Sequence, residues 1–232
     1  FRSIIDMKNN LIRGIRKASD FLMGLQLTGA FKREALPNLQ VRLPAVVIGG
    51  GLTAIDTGTE LMAYYPIQVE KVLLQYESLV QAHGEAAARA AYDAEEIGTL
   101  DEFCAHGREV RAERQRAAAA GEAPNFVPML RSWGGVTVAY RKRMVDSPAY
   151  RLNHEEVQKS LEEGVRYIEN LSPTEAVLDT YGHVKAVKFR RSTAAGSDAV
   201  TEDVELPART VCVAAGTSPN TMYEKEYEGS DR

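Results

Sequence analysis

The chain has 232 residues, 44% hydrophobic and 26% charged, with a net charge of −4 and a pI near 5.7. These are the values of an ordinary soluble globular protein, and they exclude whole-chain disorder, a collagen-like repeat and a disulfide scaffold. Nucleic-acid binding is disfavoured because there is no basic excess, and every apolar run is too short to span a membrane.

Phe1-Arg2-Ser3 leads into mixed polar sequence with neither an initiating Met nor a signal-peptide pattern. The chain therefore reads as a fragment of something longer. Cys104 and Cys212 lie far apart and form no CxxC, which leaves no zinc ribbon and no dithiol redox motif. Cys212, within Val211-Cys212-Val213, reads as a buried core thiol. Such cysteine usage fits a reducing compartment, so a cytoplasmic protein is expected.

In chain order, residues 1–44 predict a linker and a packing helix. Ile12, Ile15, Ser19, Leu22 and Leu25 share roughly one face, and Gly29 is a plausible stop. Pro37 and Pro44 bracket a connector. Ala45-Val46-Val47-Ile48 then has the continuous apolar character of a parallel strand buried on both faces. Gly49-Gly50-Gly51 follows, and 52–64 reads as a helix.

Residues 65–132 are Ala-rich and predict a helical insert of two or three helices without strands. The segment holds 7 basic and 11 acidic residues, against 21 of each elsewhere, so it carries the whole net charge. Two readings stand: a solvated helical hairpin or a docking surface. Strands return at Val136 to Tyr140. A helix over 154–163 closes at Gly164. Val165 to Ile168, two runs within 174–191 around Tyr181-Gly182, Asp203 to Leu206, and Thr210 to Ala214 predict the remaining strands. The tail 223–232 is charged. The fold class expected is α/β, a Rossmann-like three-layer domain (45–64 and 133–222) with a mainly parallel sheet, a small antiparallel excursion and a helical insert.

The central motif is Gly49-x-Gly51-x-x-Ala54, placed directly after a strand and opening a helix. Gly49 permits the tight turn, Gly51 lets backbone approach a pyrophosphate, and Ala54 allows close packing of helix on strand. Amides at the helix start, aided by the helix dipole, face the phosphates. The strand after the insert ends in Tyr140-Arg141-Lys142-Arg143, with no acid for ribose hydroxyls. Three cations there favour NADPH over NADH, since guanidinium matches phosphate; a merely exposed basic loop is the alternative. The 90-residue gap from Gly51 to Arg141 is far beyond the usual spacing, and the insert accounts for it.

Val46 to Asp56, Val138-Ala139-Tyr140-Arg141-Lys142, Glu162-Glu163-Gly164-Val165 and Ala215-Gly216-Thr217-x-Pro219-Asn220 together resemble the glutamate synthase small-subunit family. That family belongs to the wider pyridine nucleotide-disulfide oxidoreductase group. The resemblance covers a little under half the chain. It implies a flavoprotein in which one Rossmann-like domain binds FAD, and a second, inserted one binds NADPH and hands hydride to the flavin. Electrons then pass to iron–sulfur centres or another acceptor partner.

On this resemblance the cofactor-binding residues are Gly49, Gly50, Gly51, Leu52, Thr53, Ala54, Arg141, Lys142, Arg143 and Gly216. Asp56 aligns with an acid near the nicotinamide, or is simply a solvated helix residue. Leu52 departs from the family's usual Asp. No second glycine fingerprint, iron–sulfur cysteine cluster or redox disulfide occurs in the chain. FAD therefore belongs to a domain outside this chain, and no catalytic residue and no metal ligand are expected within it. The competing class is a degenerate Rossmann scaffold whose acidic insert docks a protein partner. Serine-hydrolase and Walker motifs are absent, the four histidines are scattered, and a methyltransferase would want an acid where Arg141 stands. Trp133 has no assigned role.

Overall fold

The computed structural model describes residues 5–192 and 201–215. Five parallel strands form the main sheet in the order β1–β8–β2–β3–β4: β1 (Ile15–Lys17), β2 (Ala45–Ile48), β3 (Val136–Ala139), β4 (Arg166–Ile168) and β8 (Thr210–Val213). Three antiparallel strands, β5 (Leu171–Leu178), β6 (Val184–Ser192) and β7 (Thr201–Pro207), make a separate sheet.

The helices are α1 (Ala18–Thr28), α2 (Leu52–His83), α3 (Glu85–Arg89), α4 (Ala94–Ala120), α5 (Val127–Ser132) and α6 (Pro148–Glu162). The fold is the expected α/β arrangement in three layers. Successive residues of a strand face opposite ways. Ala45, Val47, Val136, Val138 and Cys212 therefore pack with Phe21, Leu25, Leu61 and Tyr64 of α1 and α2. Val46, Ile48, Ala139 and Val211 pack on the other side with Leu171, Val184, Val187 and Phe189 of the antiparallel sheet. A sheet covered on both faces needs strands as apolar as β2 and β3, every residue of which is buried.

Three elements differ from the periodicity reading. Ile15 is not on the first helix. It opens β1, which pairs in parallel with β8 through Ile15–Val211, Arg16–Cys212 and Lys17–Val213. Residues 1–44 therefore contribute a sheet strand as well as a helix. The second difference is at α2, which does not stop near 64 but runs on for 32 residues through the buried Pro66. Pro66 lacks an N–H, so the Met62 carbonyl loses its helical donor there without ending the helix. Third, α6 starts at Pro148 rather than 154. Ser147 caps it by accepting from the Tyr150 amide, Pro148 fills the first position, and the non-helical Asn153 (φ −158°) separates this opening turn from the remainder.

Within 65–132 the structure has no strand, as expected, but it comprises the end of α2 with α3, α4 and α5, joined by short turns, rather than two or three helices. Its acids are largely engaged in ion pairs: Glu70 with Arg114, Glu77 with Arg111, Asp101 with Arg89, Glu113 and Glu122 with Arg116, Glu95 with Arg13, and Glu102 with Arg42 and Arg209. Asp93 and Glu96 are used in a reciprocal capping box at the start of α4. These paired acids are thus a structural resource of the arm.

The last pair anchors the arm to the sheet. Arg209, just before β8, donates to both Glu102 carboxylate oxygens at 2.6 and 2.8 Å, and Arg42, just before β2, adds a third bond at 3.1 Å. Beside it, His106 of α4 stacks on Trp133 with ring centroids 3.7 Å apart, and its Nδ1 lies 2.8 Å from the Tyr65 hydroxyl. Burial pushes the His106 pKa down and the Tyr65 pKa up. Trp133 thus lies next to the start of β3, away from the glycine loop. Both cysteines are free and buried, and burial drives the Cys212 thiol up to about 12.

Candidate functional site: a cleft at the carboxyl ends of the parallel strands

Chain order runs outward from β2 through β3 to β4 and later returns to β8 on the opposite side of β2. The strand order therefore reverses at β2. In an open α/β sheet that reversal leaves a crevice beyond the carboxyl ends of the strands, the default place for a ligand. A cleft of about 550 Å³ lies there, lined by Gly49, Gly50 and Gly51 after β2, Tyr140 and Arg141 after β3, and Ala214 and Ala215 after β8. Leu171, Ser172 and Pro173 of β5, with Asp6, close one side.

Each loop glycine meets something different. A Cβ on Gly49 would stand 3.0 Å from both Cβ and O of Ala214. A Cβ on Gly50 would fall 2.3 Å from the Tyr140 ring. A Cβ on Gly51 would have nothing within 4 Å among the described residues. Gly51 is also the N-cap of α2 and offers no side-chain acceptor to the first-turn amides. Those donors, and the positive end of the helix dipole, are the anion-binding element of such loops.

Ala54 is fully buried. One turn on, a Cβ at Gly58 would approach Val165 and Val138 at 3.3 and 3.4 Å, so α2 lies tightly against the sheet. Leu52 joins Ile55, Met144, Ala149 and Val157 in an apolar cluster that packs α6 and the 3-10 turn Met144–Asp146 against the start of α2. The Gly50 carbonyl accepts from the Ala149 amide at 3.3 Å.

The three cations separate. Arg141 lines the cleft, Lys142 is exposed outside it, and Arg143 is held by Asp146 through bonds of 2.8 and 3.2 Å. Thr53 is half-buried in the first turn of α2. Asp56 is exposed and outside the cleft lining, and its carboxyl is pushed up first by partial burial and then by Glu156 of α6. Gly216, with Thr217, Pro219 and Asn220, lies outside the described residues. Tyr140, Asp6 and Pro173 are cleft residues that motif reading missed. Only Tyr140 left a signal, as an aromatic at the strand end beside a glycine triplet. Among the described residues no group of three or more His, Cys, Asp or Glu is placed to hold a metal ion. No described helix is long and apolar enough to cross a membrane.

No family model matches the chain. An uncharacterized protein of Rickettsia prowazekii (strain Madrid E) is 38% identical over 192 residues, which is 82% of this chain. The match takes in 24% of that relative, so the chain spans about a quarter of its length. Among solved structures, a ferredoxin reductase from Rhodopseudomonas palustris aligns with 98% of this chain and 35% of its own, at 14% identity and a TM-score of 0.40. FprA from Mycobacterium tuberculosis, solved in complex with NADPH, aligns with 91% of this chain and 46% of its own, at 16% identity and a TM-score of 0.37.

Proposed function

We propose that this chain is the NADPH-binding unit of an FAD-dependent oxidoreductase of the glutamate synthase small-subunit type. It presents the nicotinamide to a flavin held elsewhere in the protein. One observation carries the reading: Gly51, at the positive end of α2 and at the mouth of the cleft, faces open space, while Gly49 and Gly50 before it are glycine for reasons of packing. A loop shaped only for its own packing would not need the third glycine.

In this reading the first-turn amides of α2 take the pyrophosphate, and Arg141, with Lys142 in reach of solvent, meets the 2′-phosphate. The residues place and orient the dinucleotide, and the redox chemistry belongs to the two cofactors. Arg143 is the weakest of the three cations for this task, because Asp146 already neutralises it. An iron–sulfur or other electron acceptor lies downstream of the flavin.

Titration with NADPH, followed by nicotinamide fluorescence, tests this. Micromolar binding that weakens by about tenfold or more in Arg141→Ala/Lys142→Ala, with NADH affinity unchanged, is the expected result. Absence of binding at about millimolar NADPH sinks the proposal. The purified chain is expected to be colourless, and bound FAD on it would contradict the division of cofactors.

A further inference from the structure

The basic loop after β3 carries its own counter-ion. Asp146 ends the 3-10 turn Met144–Asp146. One of its oxygens accepts from Arg143 Nε at 2.8 Å and the other from Nη2 at 3.2 Å. That two-nitrogen edge of a guanidinium is the fork that grips a phosphate. Asp146 therefore fills, with a carboxylate, the place a phosphate would take on Arg143. The hydrogen bonds from Arg143 hold the Asp146 carboxyl below the usual carboxylate range, and Arg151 and Lys142 act in the same direction.

The backbone around Arg143 is fixed on both sides. The Lys142 carbonyl accepts from the Asn170 amide at 3.2 Å, and the Met144 amide donates to Glu169 Oε1 at 2.7 Å. The amides of Asp146 and Ser147 close the turn on the carbonyls of Arg143 and Met144. Glu169 is the other acid that acts on Arg143, and its Oε1 is committed to the Met144 amide. What is left to move is the exposed guanidinium itself.

Arg141, two residues earlier, lines the cleft. Two residues span at most about 7 Å of backbone, a distance that an arginine side chain covers. Arg143 thus stands beside the cleft with its backbone set and its fork occupied. Exposed ion pairs are weak, so the carboxylate does not shut a phosphate out. It subtracts from the affinity. NADH has no 2′-phosphate and gains nothing from Arg143 in either state.

We propose that Asp146 sets the cofactor selectivity of the cleft, by competing with the 2′-phosphate for Arg143 and so lowering the preference for NADPH over NADH. The proposal rests on the reading of the cleft as an NADPH site. Asp146 is a positioning residue in it, acting through Arg143.

Titrations of the whole chain with NADPH and with NADH, followed by nicotinamide fluorescence, test it. Asp146→Asn should tighten NADPH binding by about threefold or more and change NADH binding by less than about twofold. Asp146→Glu keeps the charge three residues from Arg143 and should hold the wild-type ratio of the two affinities. Arg143→Gln added to Asp146→Asn should abolish the gain. Four results overturn the proposal: NADPH bound no tighter by Asp146→Asn than by wild type, equal tightening of both cofactors, an Asp146→Glu protein as tight as Asp146→Asn, or a gain that survives Arg143→Gln. Wild-type NADPH binding without a gain in Asp146→Asn overturns this inference alone. Absence of NADPH binding in both proteins overturns the reading of the cleft along with it.

Discussion

At the carboxyl ends of β2, β3 and β8 the chain strips side chains away, whereas at their amino ends it brings in the longest ones it has. The upper end is three glycines, Ala214 and Ala215, with one tyrosine ring laid over Gly50. The lower end is Arg42, Arg209, Glu102, His106, Trp133 and Tyr65, tied by ion pairs and a ring stack. The contrast has a physical origin. Parallel strands feed their carboxyl ends into helices whose first amides are unsatisfied, so that end gains by leaving space for an anion. The other end holds no comparable device, and the polar groups gathered there must satisfy one another. The two ends should respond oppositely to substitution, the lower in stability and the upper in binding.

The largest effect is expected from Glu102→Ala, which leaves Arg42 and Arg209 without a counter-charge. Unfolding by urea should show a loss of about 2–3 kcal/mol, below the figure for a fully buried pair because both partners are partly exposed. NADPH affinity should be unchanged, and a parallel loss of binding would break the separation of the two ends.

Gly50→Ala comes next. Its Cβ, 2.3 Å from the Tyr140 ring, should cost about 1–2 kcal/mol. Tyr140→Leu in the same protein should recover most of that loss, as a double-mutant cycle would reveal. Gly51→Ala sharpens the comparison further. With nothing within 4 Å among the described residues, it should alter stability by no more than about 0.5 kcal/mol. NADPH binding should nonetheless weaken by about tenfold or more, since the new methyl occupies the phosphate approach. An unimpaired Gly51→Ala would show that the loop does not bind phosphate.

The smallest effect is on pH dependence. Burial lowers the His106 pKa, so the folded protein binds its proton less readily than the unfolded chain does. The contribution is intact above the ordinary histidine value of 6.5 and is lost as pH falls from there through the depressed folded value. His106→Phe should flatten the acid side of a thermal-melting profile over that window, leaving the alkaline side to the buried Tyr64, Tyr65 and Cys212, whose ionisation burial pushes up.

The upper end was legible because its signals are local. A four-residue apolar strand, a glycine triplet and the start of a helix are contiguous, and Tyr140-Arg141 closes a second apolar strand. The lower end was not legible, because Glu102 finds its partners 60 and 107 residues away, with no motif joining them. β1 was missed for a related reason. Three residues with two cations among them have no strand pattern of their own, and it is the pairing with β8 that makes them a strand. Tyr140 was visible as a residue but not as the reason that Gly50 is glycine.

The excursion between β2 and β3 leaves and rejoins the fold at one spot. A Cβ placed on Gly164 would stand 2.8 Å from Met62 on the outgoing side and 2.8 Å from Val127 on the returning side. The helical arm is thus a detour with a narrow neck, and a short bridge across that neck would shortcut it. The trimmed protein would keep its glycine loop but bare Trp133, Arg42 and Arg209, which His106 and Glu102 of the arm now cover, so the detour also serves as the floor on which the sheet stands.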